Sequence, residues 1–442
     1  MTTREAGLAR RRVLVIDGTG RGHAICDLFT RTDPDVTVFY GPGCDYIRHD
    51  RMVPVPSISL VNPRTALEFL AENPVDFVFV SNIDALSRGY VDILRAGGHR
   101  AIGPTKAAAQ LEVSKERGKR FCVDNGIPTP PYQIFTDVAT AKEYIASLPY
   151  DCVVKTDGLT ADGDGSVVCG SAAEAIQAVD RFAGEAGDAF RVIVEKRLRG
   201  QEISVFALVD GGSALLFPTA LDFKRTLEHD LGKNCDGMGS IAPHPHTNRA
   251  LIEEIRRALL DPLVRGIRRE GLDYSGFIYI GAMMTDTGLN VLEINTRFGD
   301  SEAQAVLPGL RTNFTQLCDA ILDQDLARRD LVTDGLVRCS VALTQGCLDP
   351  KDPDAAPGWP FGAFTAGQPV TGLDKVDRGR ADVFYANLRS DSHHRPVTTG
   401  GRVLHIVGAG ATLAEARAAA YREVDHVSFR GMRYRTDIAA DA

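Results

Sequence analysis

Asn290-Val-Leu-Glu293-Ile-Asn295-Thr-Arg297-Phe-Gly-Asp300-Ser-Glu302 reads as a β-strand that turns directly into a polar loop. Side chains alternate across a strand, so Leu292 and Ile294 are expected on a core while Glu293, Asn295 and Arg297 share the opposite face. A carboxylate beside an amide oxygen suits Mg2+, which takes hard oxygen ligands and shares them with nucleotide phosphates. A neighbouring guanidinium can hold a carboxylate or phosphate through two parallel bonds. The competing reading is a solvated strand face ending in a Gly-Asp turn.

Three upstream stretches carry complementary chemistry. Gly158-Leu-Thr-Ala-Asp162-Gly163-Asp164-Gly165 lies between two predicted strands, as a flap whose amides can close over phosphates. Lys155 stands in the strand before it. A lysine at an apolar strand end can be a snorkelling edge residue, but beside a glycine loop it is better explained by an anion within reach. Glu195-Lys-Arg-Leu198-Arg-Gly200-Gln-Glu202 ends another strand, where backbone groups can grip an adenine; the bland alternative is a charged strand exit. Gly18-Thr-Gly20-Arg21-Gly22-His23 follows the first strand and opens a helix, whose free N–H groups attract anions. It makes a poor dinucleotide fingerprint. His23 stands where a third glycine is required, and Tyr40 stands where the second strand should end in an acid.

Composition narrows the setting. The 442 residues exceed one usual core, and the 44% hydrophobic and 24% charged fractions are those of an ordinary globular protein. A net charge of -8 argues against general nucleic-acid binding while leaving room for a local phosphate pocket. Nine cysteines, from Cys26 to Cys347 without a C-x-x-C pair, fit neither a disulfide framework nor a structural zinc site. No apolar signal core follows Arg10-Arg-Arg12, so a cytoplasmic protein without a membrane span is expected.

From Arg12 to about Gly103, β-rich runs (Val13-Leu-Val-Ile, Val36-Thr-Val-Phe-Tyr, Phe77-Val-Phe-Val) alternate with helical periodicity, predicting a doubly wound α/β domain with a parallel sheet over 1–104. An α+β unit is expected over 105–336, with a flap subdomain around 126–197 opened by Gly126-Ile-Pro-Thr-Pro-Pro131. One continuous helical stretch is read from Asn248 to Arg269 within it. A small mixed domain is expected over 337–442, including a Pro/Gly-rich stretch, Pro350 to Gly372.

Strand lysine, glycine flap, Glu-Lys-x-Leu-x-Gly-x-Glu hinge and Glu-x-Asn-x-Arg strand, in that order, resemble the ATP-grasp superfamily. Within it the chain resembles the phosphoribosylamine-glycine ligase (glycinamide ribonucleotide synthetase) family over nearly its whole length. The matching stretches are Gly20-Arg21 with His23, Gly103-Pro-Thr105, Ala109-Gln-Leu-Glu112 with Ser114-Lys115, Asp157-Gly158-Leu159, Lys224-Arg225, Asn234 with Gly237-Met-Gly239, Arg297-Phe-Gly-Asp300 with Glu302, and Thr399-Gly-Gly-Arg-Val-Leu404. The resemblance implies an ATP-grasp fold and a carboxylate–amine ligase using ATP and Mg2+ (or Mn2+), with an amino acid and an amine as partners and an acyl phosphate between them. It implies that Lys115, Lys155, Gly158, Gly163, Gly165, Glu195, Leu198 and Glu202 bind ATP and that Glu293 and Asn295 bind the metal. It also implies catalytic roles for Arg297, Lys224 and Asp222, and substrate contacts for Gly20, Arg21, His23, Asp84, Arg225, Asn234 and Asp300.

The chain departs from the family pattern at four places. The flap has Asp162-Gly-Asp164-Gly where the family has a lysine between glycines, and Gly22 replaces a glutamate. Ser81-Asn-Ile83-Asp84 stands where a family glutamate suits ribose hydroxyls, leaving Ile83 there and Asp84 one position on. Tyr385-Ala-Asn387 replaces His-Ala-Gly. These changes favour a specialised ligase with a changed amine partner. The alternatives are the housekeeping purine enzyme and, from a different class, a nucleotide-binding regulator without catalysis.

Overall fold

The computed structural model describes residues 10–159, 165–346 and 364–440. Asp162, Gly163, Asp164, Cys347 and most of the Pro/Gly-rich stretch lie outside the described residues.

The first unit is a five-stranded parallel sheet in the order Met52–Pro54, Val36–Pro42, Arg11–Asp17, Phe77–Val80, Ala101–Ile102. Strand alternation sends Val13 and Val15 to a core with Ile25 and Phe29, and Leu14 and Ile16 to a second core with Ala66 and Leu70. The strand order reverses beside Arg11–Asp17, so the loops after this strand and after Phe77–Val80 meet at a crevice, where open α/β sheets bind ligands. Asp17, fully buried, ties these loops together. It accepts bonds from Thr19 N (2.8 Å), Thr19 Oγ1 (2.8 Å), Arg21 Nε (3.1 Å) and Ser81 Oγ (2.8 Å).

Two antiparallel sheets follow. One runs Tyr132–Phe135, Val192–Lys196, Cys152–Thr156, Ser166–Val168, and helices Val138–Ser147 and Ala172–Ala186 pack on one of its faces. Cys152, Val154, Val192 and Val194 belong to that core, so alternation turns Val153, Lys155 and Glu195 the other way. The second sheet runs Ala214–Leu216, Gln201–Val209, Gly276–Thr285, Gly288–Asn295. The single helical stretch expected from Asn248 to Arg269 is instead two α-helices, Arg249–Ile255 and Asp261–Arg269, joined by a π-helical turn at Arg256–Leu260. The wide turn runs directly into Pro262, which brings no N–H to the ladder.

The third sheet runs Leu221–Asp222, Gly239–Ala242, Val337–Gln345, Arg402–Gly410, Ala381–Tyr385, with Met432–Arg433 beside Val337–Gln345 and helix Leu413–Val424 against it. Its first two strands precede residue 337, so this sheet joins the middle of the chain to its end and brings Asp222 and Arg402 to one region.

One expectation fails within the opening motif. Leu292 does not share a core face with Ile294. A bulge shifts the pairing so that Glu293 lies opposite Gly281 and Val291 opposite Ala282, leaving Leu292 as the extra residue. Leu289, Val291 and Ile294 form the core face, and half-buried Leu292 lines the cleft beside Glu293.

Candidate active site

A cleft of about 1310 Å³ opens between the sheets and reaches the crevice of the first unit. At one end, Glu195 is 2% exposed and lies between two ammonium groups: Lys155 Nζ is 2.6 Å from Oε1 and Lys119 Nζ is 2.6 Å from Oε2. Lys155 also donates to the carbonyl of Leu292 (3.1 Å), and Lys119 to Thr129 Oγ1 (2.9 Å). Burial alone would raise the Glu195 pKa, but Lys155 and Lys119 outweigh it and hold the carboxyl below its ordinary range. Burial also lowers the ammonium pKa of Lys119, against the pull of Glu195.

Ser114 caps helix Lys115–Asp124 by accepting from Arg117 N (3.1 Å), so the chain turns sharply and Lys115 faces the flap, donating to Gly158 O (2.8 Å). Asp157 takes bonds from Ser114 Oγ (3.2 Å) and Glu116 N (3.2 Å), fixing the flap base to this helix start. Gly165, Leu198 and Glu202 also line the cleft. Lys224 Nζ donates to Glu202 Oε2 (2.8 Å).

On the bulged strand, Glu293 and Asn295 face the cleft. Burial would raise the Glu293 pKa, yet Lys224, Lys155, Lys115 and Arg297 together lower it, so a carboxylate is available at neutral pH. Burial drives the Asp222 carboxyl well above its ordinary pKa, and nearby Glu302 adds to the rise. Glu302 is raised too, chiefly by burial, and accepts from Ser204 Oγ at 3.0 Å. Gly237, at φ +89, allows this packing: a Cβ there would stand 2.6 Å from Asp222 Oδ1. Arg225 and Asn234 pair across the hairpin at the cleft mouth.

The far end is built from distant segments. Thr19, Arg21, Asn82, Ile83 and Asp84 line it. Asn82 caps the short helix Ile83–Ser87 by accepting from Asp84 N (2.9 Å), which leaves Ile83 half-buried in the wall and Asp84 exposed. Arg402 donates to the carbonyl of Asp300 (2.7 Å) and to that of Asp236. Burial would raise the Asp300 carboxyl, but Arg402, His405 and Arg21 hold it below its ordinary range.

Two residues expected at this end do not line the cleft. Gly20 opens helix Gly20–Thr32 and permits close packing, since a Cβ there would lie 2.6 Å from Gln304 Nε2. His23 is buried against Phe384 and Tyr385, its Nδ1 accepting from Tyr385 N (2.9 Å), and burial lowers its pKa to about 3. The other expected residues within the described segments all line the cleft, whereas Gly163 lies outside those segments. Asp17, Glu112, Lys119, Glu302 and Arg402 were not anticipated as site residues. Lys119 had a readable signal, one helical turn beyond Lys115, but Asp17 and Arg402 depend on contacts between remote segments.

A parallel-sheet unit, two antiparallel sheets around a cleft, and lysines opposite a Glu-x-Asn-x-Arg strand define an ATP-grasp ligase, an ADP-forming enzyme that makes carbon–nitrogen bonds. Family models match as phosphoribosylglycinamide synthetase N domain over residues 11–112, ATP-grasp (A) domain over 113–303 and C domain over 354–441. The chain belongs to the phosphoribosylglycinamide synthetase family. It is 37% identical over 435 residues to a phosphoribosylamine–glycine ligase of Caldanaerobacter subterraneus subsp. tengcongensis, covering 97% of this chain and 99% of that protein. It is 36% identical to the enzyme of that name from Chlorobaculum tepidum, covering 98% of this chain and all of the relative (100%). Among solved structures, the phosphoribosylamine–glycine ligase of Thermotoga maritima superposes with a TM-score of 0.79 at 27% identity, covering 96% of this chain and 99% of that one. Among the described residues, no helix is long and apolar enough to cross a membrane.

Proposed function

We propose that this chain is a phosphoribosylamine–glycine ligase, joining glycine to phosphoribosylamine with cleavage of ATP to ADP and phosphate. The observation that carries this reading is 37% identity over 97% of the chain to a protein of that name. It is supported by Lys115, Lys155, Glu293 and Arg297 sharing one cleft. The relatives' names favour this purine-type activity over the specialised amine ligase anticipated from the sequence departures.

In this reading Lys115 and Lys155 hold the triphosphate, and Gly158, Gly163 and Gly165 belong to the same ATP site. Glu195, Leu198 and Glu202 take the nucleoside. Glu293 and Asn295 offer hard oxygen donors, and no group of three or more His, Cys, Asp or Glu among the described residues forms a metal cage. That set fits Mg2+ (or Mn2+), which leaves its remaining positions to phosphate and water. Held by Glu293 and Asn295, such an ion would neutralise phosphate charge during transfer.

A glycine carboxylate oxygen attacks the γ-phosphorus, the bond to ADP breaks, and an acyl phosphate forms. Arg297 holds the reacting carboxylate. The amine then attacks the carbonyl carbon, the bond to phosphate breaks, and the nitrogen loses one proton. Catalysis is therefore mostly positioning and charge stabilisation. Asp222, Lys224, Arg225 and Asn234 belong to the amino-acid side, and Arg21, Asp84 and Asp300 to the amine side. Gly20 and His23 support that wall from behind. The chain divides into units 1–104, 105–336 and 337–442, and its compartment is the cytoplasm, since the eight cysteines among the described residues are free and buried.

One test uses ATP, Mg2+, labelled glycine and hydroxylamine in place of the amine. The reading predicts glycine hydroxamate with ADP and phosphate in equal amounts; AMP with pyrophosphate would overturn it. A second reading, a different amine, is favoured by one observation, the apolar Ile83 in the cleft wall. A panel of amines in the same assay separates the two.

A further inference from the structure

Glu112 lies on the four-residue helix Gln110–Val113, is 8% exposed, and lines the cleft. Its two oxygens do different things. Oε2 accepts from Thr296 N (2.7 Å) and Thr296 Oγ1 (3.1 Å), pinning the backbone just after Asn295. Oε1 accepts from Arg297 Nε at 3.0 Å. The guanidinium is further held by Nη1 donating to Phe298 O (3.1 Å) and by Nη2 at 3.5 Å from Asn295 Oδ1. Phe298 is itself fixed, stacked on Phe206 with centroids 4.1 Å apart. Of the roughly five N–H donors a guanidinium carries, these contacts engage three and leave about two for a ligand in the cleft.

We propose that Glu112 is a positioning residue for the reaction, setting the angle at which Arg297 presents its free N–H groups to the reacting carboxylate. The inference rests on the role given to Arg297 under the proposed function. A bidentate donor works only when its plane is fixed, and a displacement of about 1 Å can cost about a hundredfold in rate. A carboxylate is needed at this position because it meets donors on both sides. An amide in its place can still accept from Thr296, but its NH2 then faces the guanidinium, donor against donor.

The test is a double-mutant cycle between Glu112→Gln and Arg297→Ala, with Thr296→Val alongside, all on the full chain. Glu112→Gln should lower kcat about 10- to 100-fold while KM for ATP changes little. In the Arg297→Ala background it should cost nothing more. Thr296→Val removes one bond to Oε2 but leaves the pair to Arg297, and should keep kcat. Additive losses in the cycle, or a Thr296→Val loss as large as that of Glu112→Gln, would overturn the proposal by reducing Glu112 to a strand anchor. An active Arg297→Ala would instead overturn the role of Arg297 itself. If Glu112→Gln does not fold, the same cycle with Glu112→Asp, which is too short to reach both partners, carries the same expectations and the same contradicting result.

Discussion

On the nucleotide side of the cleft, Lys119, Lys155 and Glu195 close a buried charge network within two adjoining strands and one helix, whereas the opposite end, proposed above for the amine, is assembled from remote loops around Asp17 and Asp300. The first arrangement is set by local alternation: once Val154 and Val194 enter the helix-covered core, Lys155 and Glu195 must face the cleft. The second depends on the third sheet, which brings Arg402 against Asp236 and Asp300 across more than one unit. A wall built by local periodicity tolerates little change, while one built from loops can change its ligand chemistry without unfolding the sheets. Ile83, Gly22 and Asn387 all fall on or beside the second kind of wall.

The sharpest way to break this contrast is at the bulged strand. Glu293→Gln should reduce turnover on the order of a hundredfold or more with melting temperature nearly unchanged; a near wild-type rate would remove Glu293 from the metal site. Next in size is Lys119→Met, which leaves Glu195 with one ammonium. Breaking a buried ion pair in this way should destabilise the fold by about 3–5 kcal/mol, read by denaturant unfolding, and a change under about 1 kcal/mol would show the network to be dispensable. Lys155→Ala should weaken ATP binding about tenfold or more, checked by calorimetry.

Acid should loosen the molecule from the imidazoles inward. Burial lowers the pKa of His405 to about 4, of His244 to about 4 and of His23 to about 3, below the free value near 6.5. Between about pH 6.5 and these values the unfolded chain binds protons that the native chain does not. The imidazole contribution to stability should therefore fall as pH is lowered through that window, opposite in sign to that of the raised Asp222 and Glu302 carboxyls, and ring titrations near the free value by NMR would contradict the buried neutral imidazoles. The smallest effect is expected at the amine wall: Ile83→Glu should change KM for the amine several-fold and leave KM for ATP unaltered.

What was legible in the sequence follows the same division. The parallel sheet and the order of nucleotide-side motifs were readable because apolar alternation and glycine punctuation are local signals, whereas the middle unit read only as α+β and its division into two antiparallel sheets rests on strand pairing between remote segments. The bulge at Leu292 was not, since a single extra residue leaves the hydrophobic pattern Leu289, Val291, Ile294 ambiguous until the partner strand is known. Asp17 directly follows the apolar run Val13-Leu-Val-Ile in sequence, and only the meeting of two loops makes it an organiser. His23 fitted a ligand loop by position, but its ring is taken up by Tyr385, 362 residues away in sequence.

A purine-type amine site on the loop-built wall should accept phosphoribosylamine. Its direct test is the rate of ADP release with ATP, Mg2+, glycine and phosphoribosylamine generated in situ. Amide product is expected at a turnover of roughly 1 to 1000 per second, dependent on phosphoribosylamine. Turnover with another amine but none with phosphoribosylamine would contradict it.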